Sequence, residues 1–158
     1  MLARIQSLYL VLVVIFAGLN LKLLPFWSFE LNAPENAAMA KNMALIGLSE
    51  FGTSGQFIAM VWGFNVFLLT TMMLAAVSIA LFSNRKIQIK VITSAGIATL
   101  LTVGFGAATA ITFTGQMDGA AGLPNIGFYL LLVCLPLEWL AVSAIQKDEK
   151  IANAYKRL

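Results

Sequence analysis

Hydrophobic positions run in four long blocks, about Ile5 to Leu24, Gln56 to Phe82, Ile87 to Phe113 and Asn125 to Ile145, separated by more polar stretches. Each block meets the length of roughly 20 residues that a helix needs to cross a hydrocarbon core about 30 Å thick. The pattern therefore predicts four membrane spans, about 5–24, 56–82, 87–113 and 125–145. The connections are 25–55, 83–90 and 114–124, followed by a tail at 146–158. They leave no room for a soluble domain, so residues 1–158 read as a single membrane domain. The expected fold class is all-α, an integral membrane four-helix bundle.

The blocks differ in texture. The first ends near Pro25, which cannot continue helical hydrogen bonding, and Phe26, Trp27 and Phe29 follow where an interfacial aromatic belt is expected. Within 25–55, the stretch Pro34 to Phe51 carries Met39, Met43, Ile46 and Leu48. An interfacial helix before Gly52 and an irregular lid over the bundle both fit it. The second block is rich in large residues such as Phe57, Trp62 and Phe67 and suits a lipid-facing helix. More than half of the third is Gly, Ala, Ser or Thr. Ser94, Ala98, Thr102, Gly106 and Ala110 recur every four residues, lining one helix face with small side chains that let a neighbouring helix approach closely. A lipid or cofactor tail in that groove is the alternative to helix packing. No cofactor is predicted otherwise.

Charge orients the bundle. Eight of the ten basic residues fall in three places: Arg4; Arg85, Lys86 and Lys90; and Lys147, Lys150, Lys156 and Arg157. The opposite side has only Lys22 and Lys41, beside Glu30, Glu35, Glu50 and Asp118. Positive charge in short loops stays cytoplasmic, which predicts both termini and the 83–90 link inside, with 25–55 and 114–124 outside. Topology accounts for these cations, so the net charge of +3 does not imply nucleic acid. The basic tail, with Ile151, Ala154 or Tyr155, and Leu158 on one face, reads as surface-lying or frayed; headgroup attraction suits the first case. Arg4 before an apolar run imitates a signal peptide. No small-residue cleavage site leads into a polar segment, so the span is expected to be retained.

Composition narrows the chemistry. Hydrophobic residues make up 60% of the chain, above the roughly 45–50% of soluble domains, and mean hydropathy is +0.89. Histidine is absent and Cys134 is the single cysteine. Histidine-ligated metals and haem, Ser-His and Cys-His catalysis, and an internal disulfide are thereby excluded. Cys134, small and inside the fourth span, reads as packing. The outer carboxylates Glu30, Glu35 and Glu50 read as solvated loop charge, short of the 6–8 oxygen ligands that calcium takes; no metal site is predicted.

Glu138 is the only charge-capable residue expected to be buried deep within a predicted span; Lys22 and Lys90 lie at span ends. Eight residues before Gln146 at 1.5 Å each, it lies ~12 Å below the inner boundary. Thr99 on the third span, ~13 Å deep, and Ser78 on the second, ~9 Å deep, are its candidate partners by the same arithmetic; Asn20 and Asn65 match less well. Pro136, two residues earlier, frees the Leu132 carbonyl and predicts a kink. Three readings of Glu138 stay open: a neutral acid that hydrogen-bonds a neighbouring helix, a contact to another subunit, or a group in proton or ion movement.

The start Met1-Leu-Ala-Arg-Ile-Gln-Ser-Leu-Tyr-Leu10, the Pro25-Phe-Trp-Ser-Phe29 exit, the Asn84-Arg-Lys-Ile-Gln88 link and the Ala144-Ile-Gln-Lys-Asp-Glu149 tail, in that order, resemble a bacterial group of four-span membrane proteins, domain-of-unknown-function family 4293. The end, Ile151 to Leu158, follows the group's basic ending only loosely. The resemblance implies four spans and a bacterial inner-membrane location, and carries no catalytic residue.

Two functions follow as expectations. The first is a non-catalytic accessory or scaffold subunit of a larger inner-membrane complex, in contact with the lipid bilayer and other membrane-protein subunits. The second is a small transporter or channel-like protein using Glu138. An enzyme is not expected, because the loop charges show no acid-base or nucleophile spacing.

Overall fold

The four apolar blocks form four helices, and the computed structural model describes residues 2–31, 41–43, 55–116 and 120–155. Helix α1 is Leu2–Lys22, α2 Gly55–Ala80, α3 Arg85–Gln116 and α4 Ile126–Tyr155. Local chemistry sets their ends. The carbonyl of Leu19 takes the backbone N–H of both Leu23 (3.1 Å) and Leu24 (2.8 Å), closing α1 just before Pro25. Asn84 caps α3 through its side-chain oxygen to the Ile87 N–H (3.4 Å), and Asn125 caps α4 through the Ile126 N–H (2.7 Å), satisfying donors that a helix start leaves open.

Three helices contain stretches long and apolar enough to cross a membrane: Ala59–Ala80, Arg85–Gly115 and Ile126–Ile151, with mean hydropathies of 1.8, 1.7 and 2.0. The apolar stretch of α1, Ile5–Leu21, is shorter. Residues 85–90 belong to α3, and α4 continues to Tyr155, so helix extends beyond the apolar blocks. The bundle is a ring in which α1 packs on α2 and α4, and α3 packs on the other side of both.

Three short strands accompany the helices at the end where α1 finishes and α4 begins. They are β1 (Trp27–Leu31), β2 (Lys41–Met43) and β3 (Ala120–Pro124), ordered β2-β1-β3 and antiparallel throughout. Trp27 pairs with Met43 on one side and Pro124 on the other, and Leu31 pairs with Ala120. Alternation puts Phe29 inward, buried and edge-on to Phe113 at 4.8 Å between ring centres. A strand at 41–43 corrects the helical reading of the Pro34 to Phe51 segment at those positions; its other residues lie outside the described residues.

The core has two parts. The larger holds Val13, Phe26, Phe64, Leu68, Phe113 and Leu131 among others; the smaller holds Leu10, Ile92, Ala141 and Ile145 toward the opposite end. Near that end the Gln6 side-chain amide donates to Asp148 at 2.6 Å, tying α1 to α4. Replacing Gln6 with alanine is expected to lower stability by about 1–2 kcal/mol, since the bond is charge-assisted and partly buried. Thermal unfolding in detergent reads this directly; an unchanged midpoint would show that the tie contributes nothing.

Candidate functional site

Glu138 is carried near the centre of the Ile126–Ile151 span, and it is 3% exposed. Its packing partner is α3. Thr99, fully buried, approaches Glu138 Oε1 at 3.0 Å through its hydroxyl, and the same hydroxyl lies 3.0 Å from the Ala95 carbonyl one turn back. The second carboxyl oxygen, Oε2, is buried without a hydrogen-bond partner. It faces Gly96, where an added methyl group would sit 3.4 Å from it. The glycine leaves space for the carboxyl against the α3 backbone.

Of the two partners that depth nominated, the structure brings Thr99 to Glu138 and not Ser78. The Ser78 hydroxyl donates to the Ala75 carbonyl at 2.6 Å, and its own carbonyl accepts the Gln88 side-chain amide at 3.0 Å. Its role is to hold the turn between α2 and α3. Asn20, also fully buried, lies at the sheet end, where its amide donates to the Phe16 carbonyl at 3.0 Å. Cys134, one turn before Glu138, is buried with its thiol 3.3 Å from the Leu130 carbonyl.

Along the small-residue stripe, Ala98, Thr102, Gly106 and Ala110 are buried and Ser94 is exposed. Thr102 meets Thr71 of α2 hydroxyl to hydroxyl at 3.4 Å, and the Phe26 and Phe64 rings fill the space over Gly106. The stripe thus faces α2 and the sheet end. Ile92, Gly96 and Thr99 are turned toward α4, and Gly96 lies outside the four-residue repeat that marks the stripe. The basic residues Arg85, Lys86, Lys90, Lys147 and Lys150 are exposed, while Lys156 and Arg157 lie outside the described residues. Among the described residues, no three carboxylate or thiol groups gather at one point.

A second cluster of constrained polar atoms lies at the sheet end. Asn20 Oδ1 is buried beside Gly127, and the Trp27 indole N–H is buried near Gly122, both without a hydrogen-bond partner. Asn125 donates through its side chain to Ser28, joining the α4 cap to β1. Phe26, Trp27 and Phe128 pack around this junction with ring centres 5.5–6.1 Å apart. These residues build a rigid lid, an arrangement that stabilises a junction and offers no reactive group.

A family model described as "Domain of unknown function (DUF4293)" matches residues 2–158. No curated protein matches the chain.

Proposed function

The chain belongs to the DUF4293 family, and from that premise we propose that it is a non-catalytic accessory or scaffold subunit of a larger bacterial inner-membrane complex. The observation that carries the reading is the closure of the one acid inside a span. Glu138 meets Thr99 and Gly96 with 3% of its surface exposed, and Thr99 and Thr102 have none. Such a contact joins two helices. The Thr99 hydroxyl is the link, 3.0 Å from Glu138 Oε1 on one side and 3.0 Å from the Ala95 carbonyl on the other.

The rest of the molecule suits the same role. Only 33, 39 and 28% of the three long apolar windows is buried inside the bundle, so most of their surface is left for lipid or other subunits. Helix α1 runs beside α4 over its length, from Gln6 at Asp148 to Pro25 at Gly127, which supports a fourth crossing despite its shorter apolar stretch. Arg85, Lys86 and Lys90 at the start of α3 support the reading of four crossings with both termini cytoplasmic.

The unpartnered Oε2 atom favours the second reading, a small transporter or channel that uses Glu138 as a polar gate. One experiment separates the two. Purified in mild detergent from its own membrane, the chain is expected to carry partner proteins in a fixed ratio, and Glu138→Gln is expected to leave ion flux into proteoliposomes at background. Isolation as a lone monomer with Glu138-dependent flux would replace the subunit reading with transport.

A further inference from the structure

Basic side chains stand exposed at the end of the bundle where α3 begins: Arg85, Lys86 and Lys90 on α3, Lys147 and Lys150 on α4. Orientation in a membrane needs positive charge at one end and is indifferent to where around the bundle that charge stands. The helix contacts fix those places. Thr99 meets Glu138, and Ile92 shares a core cluster with Ile145, so each step back along α3 is matched by one step forward along α4. Lys86 is therefore level with Lys150 and Ile151, and Lys90 with Lys147.

Helix phase separates the two pairs. α3 turns Ile92 and Thr99 to α4 and Thr102 to α2. At about 100° per residue, Lys86, Thr93 and Leu100 then form a row beside the α4 seam on the flank away from α2. α4 turns Glu138 to α3 and Asp148 to Gln6 of α1, so Trp139, Gln146 and Lys150 form the facing row, away from α1. All six are exposed, Leu100 by 58% and Trp139 by 69%. Between the rows lies Gly96, half-buried and without a side chain. Lys90 lies further round toward α2, and Lys147 toward α1. The nearby acids do not cancel Lys86 and Lys150: Asp148 accepts the Gln6 amide on the α1 side, and Glu149, half-buried, shares the direction of the seam with Arg85.

The two rows run in the order of a phospholipid. Lys86 and Lys150 stand at the end, Gln146 follows about 6 Å deeper, and Trp139 and Leu100 lie about 16 Å and about 21 Å deeper. Phosphate, ester and acyl chain come in that order within a leaflet about 20 Å deep. We propose that the open side of the α3–α4 seam binds an anionic phospholipid, its headgroup between the Lys86 and Lys150 ammonium groups and one acyl chain along Trp139 and Leu100. Charge complementarity selects the headgroup: two lysines at one height on adjacent helices attract a net negative charge far more than a zwitterion. A soluble anion would use the lysines and leave the apolar wall beneath them without a role. The proposal rests on the bundle lying in a membrane and is independent of the accessory-subunit reading.

The test uses the full chain in liposomes and reads the quenching of tryptophan fluorescence by lipids brominated on the acyl chain. Brominated phosphatidylglycerol in plain phosphatidylcholine is compared with the reverse mixture, and the difference between wild type and Trp139→Phe isolates Trp139. The relative binding constant at Trp139 is expected to favour phosphatidylglycerol by roughly 10- to 30-fold, from two lysines at the strength usual for basic groups near an anionic membrane surface. Lys86→Ala with Lys150→Ala is expected to bring that ratio near one. Lys90→Ala with Lys147→Ala removes equal charge at the same end and is expected to keep most of it. The quenching left in Trp139→Phe, from Trp62 at the opposite end of the bundle, is expected to show no preference. Inorganic phosphate, with ionic strength matched by chloride, is expected to leave the ratio unchanged, and circular dichroism checks that every variant keeps its helix. A wild-type ratio of one, the same ratio in Trp139→Phe, an equal fall in both lysine pairs, or displacement by inorganic phosphate overturns the proposal. None of these outcomes bears on whether partner proteins copurify.

Discussion

Valine in place of Gly127 is expected to be among the most damaging single substitutions in the chain, lowering stability by about 2–4 kcal/mol and the thermal midpoint by roughly 5 °C or more. Gly127 sits in the first turn of α4, and a methyl group there would collide with Asn20 Oδ1 and lie 2.7 Å from the Pro25 carbonyl oxygen. Neither neighbour can yield. Pro25 is held by the very bond it accepts from the Gly127 N–H at 3.1 Å, and the next bond, Asn125 N–H to the Phe26 carbonyl, is also 3.1 Å. Asn20 is fully buried and tied to the Phe16 carbonyl. Relief would require α1 and α4 to part at the sheet end, uncovering Phe26 and Phe128. Gly104→Ala is the control, because nothing lies within 4 Å of an added methyl there, and alanine favours helix by up to about 1 kcal/mol. Thermal unfolding of both variants in one detergent is the measurement; equal midpoints would show that the junction is not tightly packed.

The helices were legible because each apolar block has the length and composition to be one. The sheet was not. Trp27-Ser-Phe-Glu-Leu31 alternates as a strand does, yet its aromatics also suit a membrane belt. Its longer partner, Ala120-Ala-Gly-Leu-Pro124, has no β-branched or aromatic residue. Backbone pairing across about ninety residues leaves no mark in such a segment.

The buried acid shows the same division in one site. Depth counting found Thr99 because distance along a helix is set by residue number. It misplaced Ser78 because depth says nothing of direction around the ring: α2 packs chiefly on α1 and α3, whereas α4 packs on α1 and α3. A residue at suitable depth on α2 therefore sits on the helix diagonal to α4, not on one of its two neighbours. Gly96 is explained by the same missing coordinate, since the phase of α3 toward α4 depends on how two helices are rotated. Residue spacing on either helix alone does not contain that angle.

Substitutions at Glu138 are expected to rank by the polar atoms they leave behind. Glu138→Lys is expected to cost more than about 3 kcal/mol and to reduce folded yield sharply, because a cation near the centre of a span is penalised by roughly 2.5–3.5 kcal/mol on insertion scales. Among the described residues, α3 offers it Thr99 and Gly96 and no carboxylate. Glu138→Gln keeps a contact to Thr99 and is expected to lie within about 1 kcal/mol of wild type, near the average strength of an interhelical bond in membranes. Leucine is the informative variant. Thr99 retains the Ala95 carbonyl at 3.0 Å, so removing the acid strands no donor, and the unpartnered Oε2 disappears with it. Glu138→Leu is therefore expected to match or exceed wild-type stability. An acid that adds no stability at a helix seam is consistent with specificity, fixing how α3 and α4 are aligned where small residues would otherwise allow sliding; that role is well attested for single polar groups in helical cores. Unfolding midpoints should follow Leu at or above Glu, Gln close to Glu, and Lys far below. If leucine proves as harmful as lysine, the carboxyl holds the two helices together outright, and alignment is not its main contribution.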